Sequence, residues 1–600
     1  MENAVSVHWL KACWPARIVT RFAVVLSAAG LLYAAPVTAP EPRKAVANAA
    51  SRRSGIEATK ATADFRTMHA IFAQAHASAF KQVGAGDSPD LFKDTGTVSI
   101  RDFVIRVLRY YRDLKVDHTG LGFSPELINE LGLRNAMFPF PLKFFGGRAY
   151  FDCEYHDIPF GSELTHINGR ALTEVLSDID KVSATRNKAG KWDDYRLEEN
   201  FSFLYYMARG EEKEWNMTVL PPAGGNSRTI VYRLRDGGNP PQVMRRSAAS
   251  SLYQQPITTL FNPQLKLAYI AINSFVPAGN QLDTVESWHN HLNLFHQEAK
   301  ARNPENLVID LRMNRGGIML FSAVAAQWFI EDALDDKSTS RARTRVLPYR
   351  ELVQAINGQA ANGAALGEAE KHLQTFFGDK MQDGYFDTRR PEARFLQLKP
   401  IPVAHRFKRV FVLVGPATYS SAVNFARYLK IANKNVVLVG EETGSPGDGH
   451  SAEILVMYKL PATGLLFEIP LVRVQFNPLV PQQPAGRGLM PDLAVSENAV
   501  DFVLFGDVHA HHQSTAQLGR ELFDALFHRF TGVGERQRSA LAFERLADAI
   551  GNRAAGEQAG QENFFVLQDG HGISFCVCVH SPGRRAERSG MPARRRRDGG

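Results

Sequence analysis

The sequence predicts an α/β core that is preceded by a helical segment and a small β-rich module. Three observations support this fold class. From about residue 255, apolar runs of strand length alternate with amphipathic helical stretches, the pattern expected for parallel strands joined by helices. Between residues 140 and 236, short strands are separated by glycine turns. Before residue 115, apolar residues recur at helical spacing.

Length and composition indicate a globular protein with more than one domain. Six hundred residues are too many for a single hydrophobic core. With 44% hydrophobic and 22% charged residues, the composition is that of ordinary soluble domains. The net charge of +8 arises at the ends, because residues 1–55 and 581–600 each carry seven basic and two acidic residues. The rest of the chain is slightly acidic, so nucleic acid is not a predicted partner.

The N-terminus predicts export. Three basic residues precede an apolar stretch over residues 22–35, and small residues follow it. This order is typical of a signal peptide, which we place at residues 1–39 and which a linker at 40–60 follows. The alternative is an uncleaved membrane anchor, although the stretch is short for a spanning helix and no later segment reaches spanning length. We therefore expect a periplasmic or secreted protein without a stable membrane span.

Neither a disulfide framework nor a metal site is predicted. Of the four cysteines, Cys13 lies in the signal, Cys153 stands alone, and Cys576 and Cys578 lie in the C-terminal tail. The histidines at 289/291 and 509/511/512 have no carboxylates at ligand spacing, which favours exposed helix or loop histidines over metal ligands. No cofactor is predicted.

The spacing of apolar residues predicts the bounds of the two regions that precede the core. The N-terminal helical segment is predicted at 61–135, and the β-rich module at 136–245 with a helical insertion near 171–210. Within the module, Asn168-Gly169 is a strong signal for a hairpin turn.

The core itself is predicted at 250–510, with parallel pairing among its alternating strands and helices. Residues 334–395 are polar and weakly periodic, which is typical of an insertion or lid. Helices at 511–555 and a disordered tail at 556–600 complete the chain. The sequence does not indicate an oligomeric state. The core strands are expected at 267–272, 307–312, 409–414, 435–439, 452–459 and 465–473.

A serine-containing turn follows a strongly apolar strand of the core. After the strand, the chain breaks at Gly415-Pro416, passes through Ser420 and Ser421, and enters a helical pattern. A serine at a helix N-terminus beyond a strand lies close to unpaired N–H groups, which can stabilise a negatively charged oxygen. Both serines are therefore candidate nucleophiles. An ordinary serine N-cap is the alternative.

Acyl transfer by a serine also requires a base and N–H donors for the oxyanion. Gly316 and Gly317 follow an apolar strand and can bring backbone N–H groups close to a substrate, because glycine has no Cβ. The N–H of Ala422, after Ser421, is the expected second donor. Taken alone, the two glycines are equally consistent with a simple strand-to-helix turn.

Five motifs occur in an order that resembles the tail-specific, carboxyl-terminal-processing serine peptidase family. The resemblance extends from Lys115 to Val495 with gaps, and it implies a serine endopeptidase with ClpP/crotonase-like strand–helix repeats. It further implies a peptide or protein substrate that is bound by its C-terminus, since residues 140–236 resemble the PDZ-like module of such proteins. The motifs lie at 267–275, 306–317, 418–424, 439–444 and 491–495.

The resemblance also implies roles for individual residues. The serine of the family lies three residues before a glutamate, whose place is taken here by Asn424, so the nucleophile maps to Ser421. The lysine of the Ser–Lys branch is missing after the serine. Asp117-His118 instead resembles a motif of the branch that includes tricorn-like peptidases, which implies His118 as the base. An imidazole with a pKa near 6.5 can accept the serine proton at neutral pH.

The acid that would orient the base is the least defined of these assignments. Tricorn-like members carry a glutamate shortly before the motif at 491–495, but Ala485 stands at the comparable position here. The remaining candidates for the orienting acid are Glu442 and Asp117, which precedes the histidine.

The sequence thus favours an exported serine peptidase over two alternatives. In the favoured hypothesis Ser421 attacks a peptide carbonyl, His118 transfers the proton, and Gly316, Gly317 and Ala422 bind the oxyanion. The first alternative is a non-catalytic ligand- or peptide-binding protein on the same fold, which the resemblance permits because a retinoid-binding relative uses that fold. The second is an esterase that acts on small esters through the same dyad.

Overall fold

The computed structural model describes two compact units of the chain, residues 1–519 and 520–600. The predicted signal peptide, most of the linker, Asp117 and the helices expected at 511–555 lie outside the described residues. Among the described residues, no helix is both long and apolar enough to cross a membrane. The described ranges of the first unit, apart from a few isolated residues, are 55–78, 96–114, 118–131, 137–183, 193–222, 225–234, 255–277, 282–388 and 396–496.

The N-terminal region consists mainly of two amphipathic helices. The first helix buries Ala61, Phe65, Met68 and Phe72, which recur at three- and four-residue intervals and therefore share one face. The second helix coincides with the helical spacing of residues 99–114, whereas the first helix, at 58–75, begins and ends earlier than the stretch predicted at 65–83. The elements of the region are β1 Ile56–Glu57, α1 Ala58–Ala75, β2 Thr97–Val98, α2 Ile100–Leu114, β3 Gly120–Gly122 and α3 Pro125–Glu130.

The next region is an antiparallel sheet with two helices. Its strands have the order β4-β5-β6-β8-β9, with β7 paired to β6. The hairpin predicted at Asn168-Gly169 is confirmed, since the two residues have φ angles of 50° and 76° and join β6 to β7. The PDZ-like assignment stays a prediction. The elements are β4 Leu142–Phe145, β5 Arg148–Phe151, β6 Glu163–Ile167, β7 Arg170–Ala171, α4 Leu172–Val182, α5 Asp194–Arg209, β8 Glu214–Leu220 and β9 Arg228–Arg233.

The remaining elements of the first unit build two large sheets and the separate two-stranded pair β13–β19. In chain order they are β10 Ile257–Asn262, β11 Leu267–Ile272, α6 Val285–Arg302, β12 Asn306–Asp310, α7 Met319–Ala326, β13 Leu334–Asp336, β14 Thr339–Ala342, the 3₁₀ turn Arg350–Leu352, β15 Val353–Ile356, β16 Gln359–Ala360, α8 Gly363–Phe376, β17 Phe377–Lys380, β18 Phe386–Thr388, β19 Leu396–Leu398, β20 Arg409–Val414, α9 Ser421–Ala432, β21 Val436–Gly440, β22 Gly449–Lys459, β23 Leu466–Gln475 and β24 Leu493–Ala494.

The first of these sheets contains four of the six strands predicted for the parallel core, whereas the other two, predicted at 452–459 and 465–473, form the antiparallel pair β22–β23 of the second sheet. The strand order of the first sheet is β10-β11-β12-β20-β21-β24, and every pair except β10–β11 is parallel. All residues of β11 are buried, as expected for a strand with helices on the sheet faces. Helices α6, α7 and α9 contribute buried side chains such as Trp288, Phe321 and Phe425 to the same core. The carboxyl ends of β12 and β20 therefore lie side by side.

The second sheet incorporates the segment that the sequence predicts as an insertion. Its order is β16-β15-β22-β23-β14-β18-β17, and β3 pairs with β23. The segment 334–395 is thus not a loosely structured lid over its described part, because β14 and β15 pair directly with β23 and β22. Local periodicity does not reveal these strands, since their partners lie far away in the sequence. The predicted gating of access stays a prediction.

The residues of the second unit that the structure describes are the antiparallel pair β25 Asn563–Gln568 and β26 Ser574–Val579. The sequence-based expectation of a disordered tail over 556–600 therefore differs from the structure at these two strands. Their runs of apolar residues flank Asp569-Gly570, which is a turn signal that an analysis centred on helical periodicity overlooks.

A buried histidine in the parallel core makes stability depend on pH. His296 is 2% exposed, stacks on Trp328 at 5.6 Å between ring centroids, and contacts the carbonyl of His405 at 3.3 Å. Burial lowers the pKa of His296 from 6.5 to about 4. The unfolded chain therefore binds a proton that the folded protein excludes between these two pH values.

We accordingly expect the free energy of unfolding to fall as the pH is lowered from about 6.5 to about 4. The contribution of His296 to this loss is roughly 3 kcal/mol, from a difference of about 1.4 kcal/mol per pKa unit. His296→Phe keeps an aromatic ring and should remove this part of the pH dependence in guanidinium unfolding at pH 7 and pH 4.5. His372→Phe, on the partly exposed surface of α8, is the control. Equal pH dependence in wild type and His296→Phe would contradict the assignment.

Candidate active site

Two turns meet at the carboxyl ends of β12 and β20. Gly316 and Gly317 follow β12 with φ angles of 96° and 138°, in a region that L-amino acids rarely adopt. A Cβ on Gly316 would lie 2.8 Å from the Cβ of Ser420 and 3.0 Å from the N atom of Ser421. A Cβ on Gly317 would lie 2.3 Å from the carbonyl carbon of Phe275. Glycine is therefore required at both positions, and the turn after β12 contacts the serine turn directly.

Asn314 holds the two turns together. Its Nδ2 donates to the carbonyl of Ile272 at 2.9 Å, and its Oδ1 accepts the N–H of Gly316 at 2.8 Å. Its own carbonyl accepts the N–H of Tyr419 at 3.0 Å. Because Asn314 is fully buried, these hydrogen bonds are not exchanged with water. The side chain and backbone of one residue thus join the end of β11 to the turns that follow β12 and β20.

Ser420 has an unusual backbone conformation. Its φ and ψ angles are 54° and −123°, which is rare for a residue other than glycine and costs on the order of 1–3 kcal/mol. The conformation is held from one side by Ser445, whose Oγ accepts the N–H of Ser420 at 2.8 Å. Ser420 itself is partly exposed, immediately before α9. Strained strand-to-helix turns of this kind present the nucleophilic serine in α/β hydrolases.

Ser421, by contrast, lies inside the protein. It is the first residue of α9, and its side chain is fully buried. Within the described part of the chain, its hydroxyl forms no hydrogen bond. The two candidate serines are therefore distinguished by accessibility and by backbone conformation, and both criteria favour Ser420.

Two of the three predicted oxyanion donors are used within the protein. The N–H of Ala422 donates to the carbonyl of Tyr419 at 3.1 Å, and that of Gly316 donates to Asn314. The N–H groups of Gly317 and Ser421, in contrast, have no acceptor among the described residues. They are the donors that the local geometry leaves available to an oxyanion.

His118 lies next to the serine turn. It is 5% exposed, with a left-handed φ of 48°, just before β3. Its ring lies 4.9 Å from that of Tyr419 and 5.7 Å from that of His450, measured between centroids. The structure thus brings the predicted base into contact with the residue that precedes Ser420.

Of the two predicted orienting acids, the structure describes only Glu442. Glu442 accepts hydrogen bonds from Arg487 at 2.8 and 2.5 Å, and its Oε1 also accepts the N–H of Gly488 at 2.8 Å. This ion pair raises the pKa of Arg487. Glu442 therefore joins the loop after β21 to the loop before β24. Asp117 lies outside the described residues.

Sequence reasoning did not assign a role to Asn314, Tyr419, Ser445 or His450. Asn314 and Tyr419 lie within the motifs but have no role assigned there. An asparagine shortly before two glycines at a strand end does indicate a turn that the asparagine side chain stabilises by hydrogen bonds. Ser445 follows the carboxyl end of β21, next to β20, so its position at the same sheet edge could have been inferred. His450 begins a strand of the other sheet, and no local pattern relates it to His118.

Known proteins resemble the chain in both sequence and fold. Residues 266–460 match the model of Peptidase family S41. The crystal structure of mature CPAF has a TM-score of 0.51 and 15% identity, and the match covers 77% of this chain and 98% of that one. At this identity the likeness shows a shared fold. No curated protein matches the sequence.

Two further solved structures have lower similarity. For the photosystem II D1 C-terminal processing protease, the TM-score is 0.35 and the identity 14%, over 76% of this chain and 99% of that chain. For a putative S41 protease from Bacteroides fragilis, the TM-score is 0.35 and the identity 10%, over 78% and 97%.

The close approach of Gly317 to the segment that follows β11 predicts that Gly317→Ala is strongly destabilising. The new Cβ would overlap the carbonyl group of Phe275, and φ would stay in the left-handed region. We expect the free energy of unfolding to fall by about 2–4 kcal/mol in guanidinium titrations.

Gly367→Ala is the matched control, because it is the same chemical change in α8 where no atom lies within 4 Å of the new Cβ. It should leave stability unchanged or raise it by up to about 1 kcal/mol. Equal stabilities of the two variants would contradict the proposed close packing.

Proposed function

We propose that the chain is a serine peptidase of family S41, whose model matches residues 266–460, with Ser420 as its nucleophile and His118 as its general base. The observation that carries the choice of serine is the backbone of Ser420, with φ 54° and ψ −123° at the start of α9. This conformation requires support from neighbouring residues, and Ser420 is partly exposed. Ser421, the nucleophile expected from the motif, has a fully buried side chain.

The available N–H groups support the same choice. A serine nucleophile commonly uses the N–H of the following residue to bind the oxyanion. For Ser421 that donor would be Ala422, whose N–H is already bonded to Tyr419. For Ser420 it would be Ser421, whose N–H has no acceptor among the described residues. Together with the N–H of Gly317, it provides two donors.

The proposed reaction proceeds in two halves. In the first, the Oγ atom of Ser420 attacks the peptide carbonyl carbon while His118 takes the hydroxyl proton. The tetrahedral oxyanion accepts hydrogen bonds from Gly317 and Ser421, and the imidazolium then protonates the leaving amine as the C–N bond breaks. In the second, His118 takes a proton from water as the water attacks the acyl-enzyme. The serine ester breaks, the proton returns to Ser420, and the carboxyl product leaves.

Two contacts support His118 as the base. Its ring packs against Tyr419, directly before the nucleophile. The next residue, Thr119, is fixed by a hydrogen bond of 2.7 Å between its Oγ1 and the Nε2 of His76. For the carboxylate that would orient His118 we favour Asp117, its sequence neighbour, over Glu442, because Arg487 and Gly488 already engage both carboxylate oxygens of Glu442.

The other parts of the chain complete the proposal. We place peptide or protein substrates in the site, with the β-rich module at 136–245 capturing a substrate C-terminus in the manner of a PDZ domain. The parallel sheet would correspond to ClpP/crotonase-like repeats. The apolar N-terminus over residues 22–35 suits an exported protein that acts in the periplasm or outside the cell.

Alanine variants of the three site residues test this assignment. We expect Ser420→Ala to reduce the hydrolysis of fluorescein-labelled casein by on the order of 10³-fold or more, and His118→Ala by about 10²–10⁴-fold. Ser421→Ala should stay within about threefold of wild type, since it removes a buried hydroxyl that has no partner among the described residues.

Circular dichroism and thermal denaturation would establish that all three variants are folded. A Ser421→Ala variant as inactive as Ser420→Ala, at unchanged melting temperature, would restore the motif-based assignment of Ser421. A wild-type protein that is folded but hydrolyses neither casein nor a small ester would contradict the proposed activity as a whole.

A further inference from the structure

A second histidine, His450, lies beside the proposed base. It is the second residue of β22 and is 3% exposed. The preceding residue is Gly449, with φ 146°, where a Cβ would lie 2.3 Å from the carbonyl oxygen of Val474. Because this glycine lets the start of β22 approach β23 closely, the backbone of His450 is fixed at the N-terminal end of β22, opposite Val474.

The ring of His450 is fixed from behind. Phe476 packs against it nearly at right angles, with 5.1 Å between centroids. The same phenyl ring covers the guanidinium group of Arg427 at 4.5 Å. Arg427 lies on α9 and is completely buried, with hydrogen bonds to Asn424 and Asp336. A continuous set of packed side chains therefore extends from His118 to the helix that begins after Ser420.

His118 is enclosed by two rings. His450 lies at 5.7 Å with an interplanar angle of 48°, and Tyr419 lies at 4.9 Å with an angle of 44°. Tilted aromatic contacts of this kind contribute stabilisation beyond the area that they bury. These two contacts restrict the orientation of the His118 ring.

We propose that His450 is a positioning residue for His118, holding the imidazole between its own ring and that of Tyr419 so that it stays directed toward Ser420. The inference rests on the proposed function, because it assigns His118 as the base. The contact that places His450 beside His118 is a ring contact, and we attribute the positioning to the shape of the His450 ring. A phenyl ring at position 450 should therefore serve in its place, whereas a small side chain should not.

Two variants separate shape from nitrogen chemistry. His450→Ala removes the ring, and we expect kcat for casein-derived peptides to fall by about 10–100-fold while KM stays within about twofold. His450→Phe keeps the ring and should retain kcat within about threefold. A purely structural role would instead lower the melting temperature and affect kcat and KM together. His296→Phe, at a buried histidine of the parallel core away from this cluster, is the control and should leave kcat unchanged.

A chemical measurement tests the same inference without any hydrolysis. Diethyl pyrocarbonate modifies accessible imidazoles, and peptide mapping by mass spectrometry gives the rate for His118 alone. Loss of the ring in His450→Ala opens a space beside His118, so we expect its modification to become roughly tenfold faster, in line with the fall in kcat. His450→Phe should protect His118 as well as the wild-type residue does.

The outcomes distinguish failure of the inference from failure of the proposed function. Unchanged modification of His118 in His450→Ala would overturn the inference, whether or not the protein hydrolyses peptides. A His450→Phe variant that protects His118 but has lost kcat as completely as His450→Ala would also overturn it, because the nitrogens would then be required. An inactive wild type would contradict the proposed function, and the modification rates would still decide whether His450 positions His118.

Discussion

The architecture of the site depends on the contact between two backbone turns, at Gly316-Gly317 and at Tyr419-Ser420. The contact is so close that no side chain fits at Gly316, and the adjacent Gly317 is packed equally tightly against Phe275. It is stabilised by Asn314, which bonds to the end of β11, to Gly316 and to Tyr419. Because the strands on either side are parallel neighbours, their ends are already at the same height. The hydrogen bonds of Asn314 to Gly316 and Tyr419 then fix the distance between the two turns.

That spacing explains why a strained serine is tolerated. The left-handed conformation of Ser420 is unfavourable by itself, but two hydrogen bonds stabilise it. One joins the N–H of Ser420 to Ser445, and the other joins Gly444 to Thr418. Farther along α9, Arg427 bonds to Asp336, to Asn424 and to the carbonyl of Pro478. Buried ion pairs give little net stability, but they restrict the alternatives that a helix can adopt. Helix α9 is thus held at its first turn and again near its middle.

Much of the fold could be predicted from local pattern. Fully apolar strands such as β11 identify a sheet covered on both faces, and Asn168-Gly169 identifies a hairpin turn. The approach of Gly316 to the serine turn also follows, because residues at the ends of adjacent parallel strands must meet. These features are encoded within a few residues, or in the topology that such residues specify.

The remaining features depend on contacts that the sequence does not display. The choice between Ser420 and Ser421 is a shift of one residue, which letters alone do not resolve; it depends on a φ angle and on which N–H groups are already bonded. The partner of Glu442 is Arg487, in a loop that only the fold brings near. His450 reaches His118 from another sheet. Long-range pairing likewise hides the strands of segment 334–395.

The most direct test of Ser420 as the activated serine is to locate a covalent adduct on the wild-type protein. The folded protein would be labelled with a fluorophosphonate probe, digested, and sequenced by tandem mass spectrometry across the peptide that contains both serines. We predict a single adduct on Ser420. An adduct on Ser421, or no adduct on either serine in a folded sample, would contradict the account.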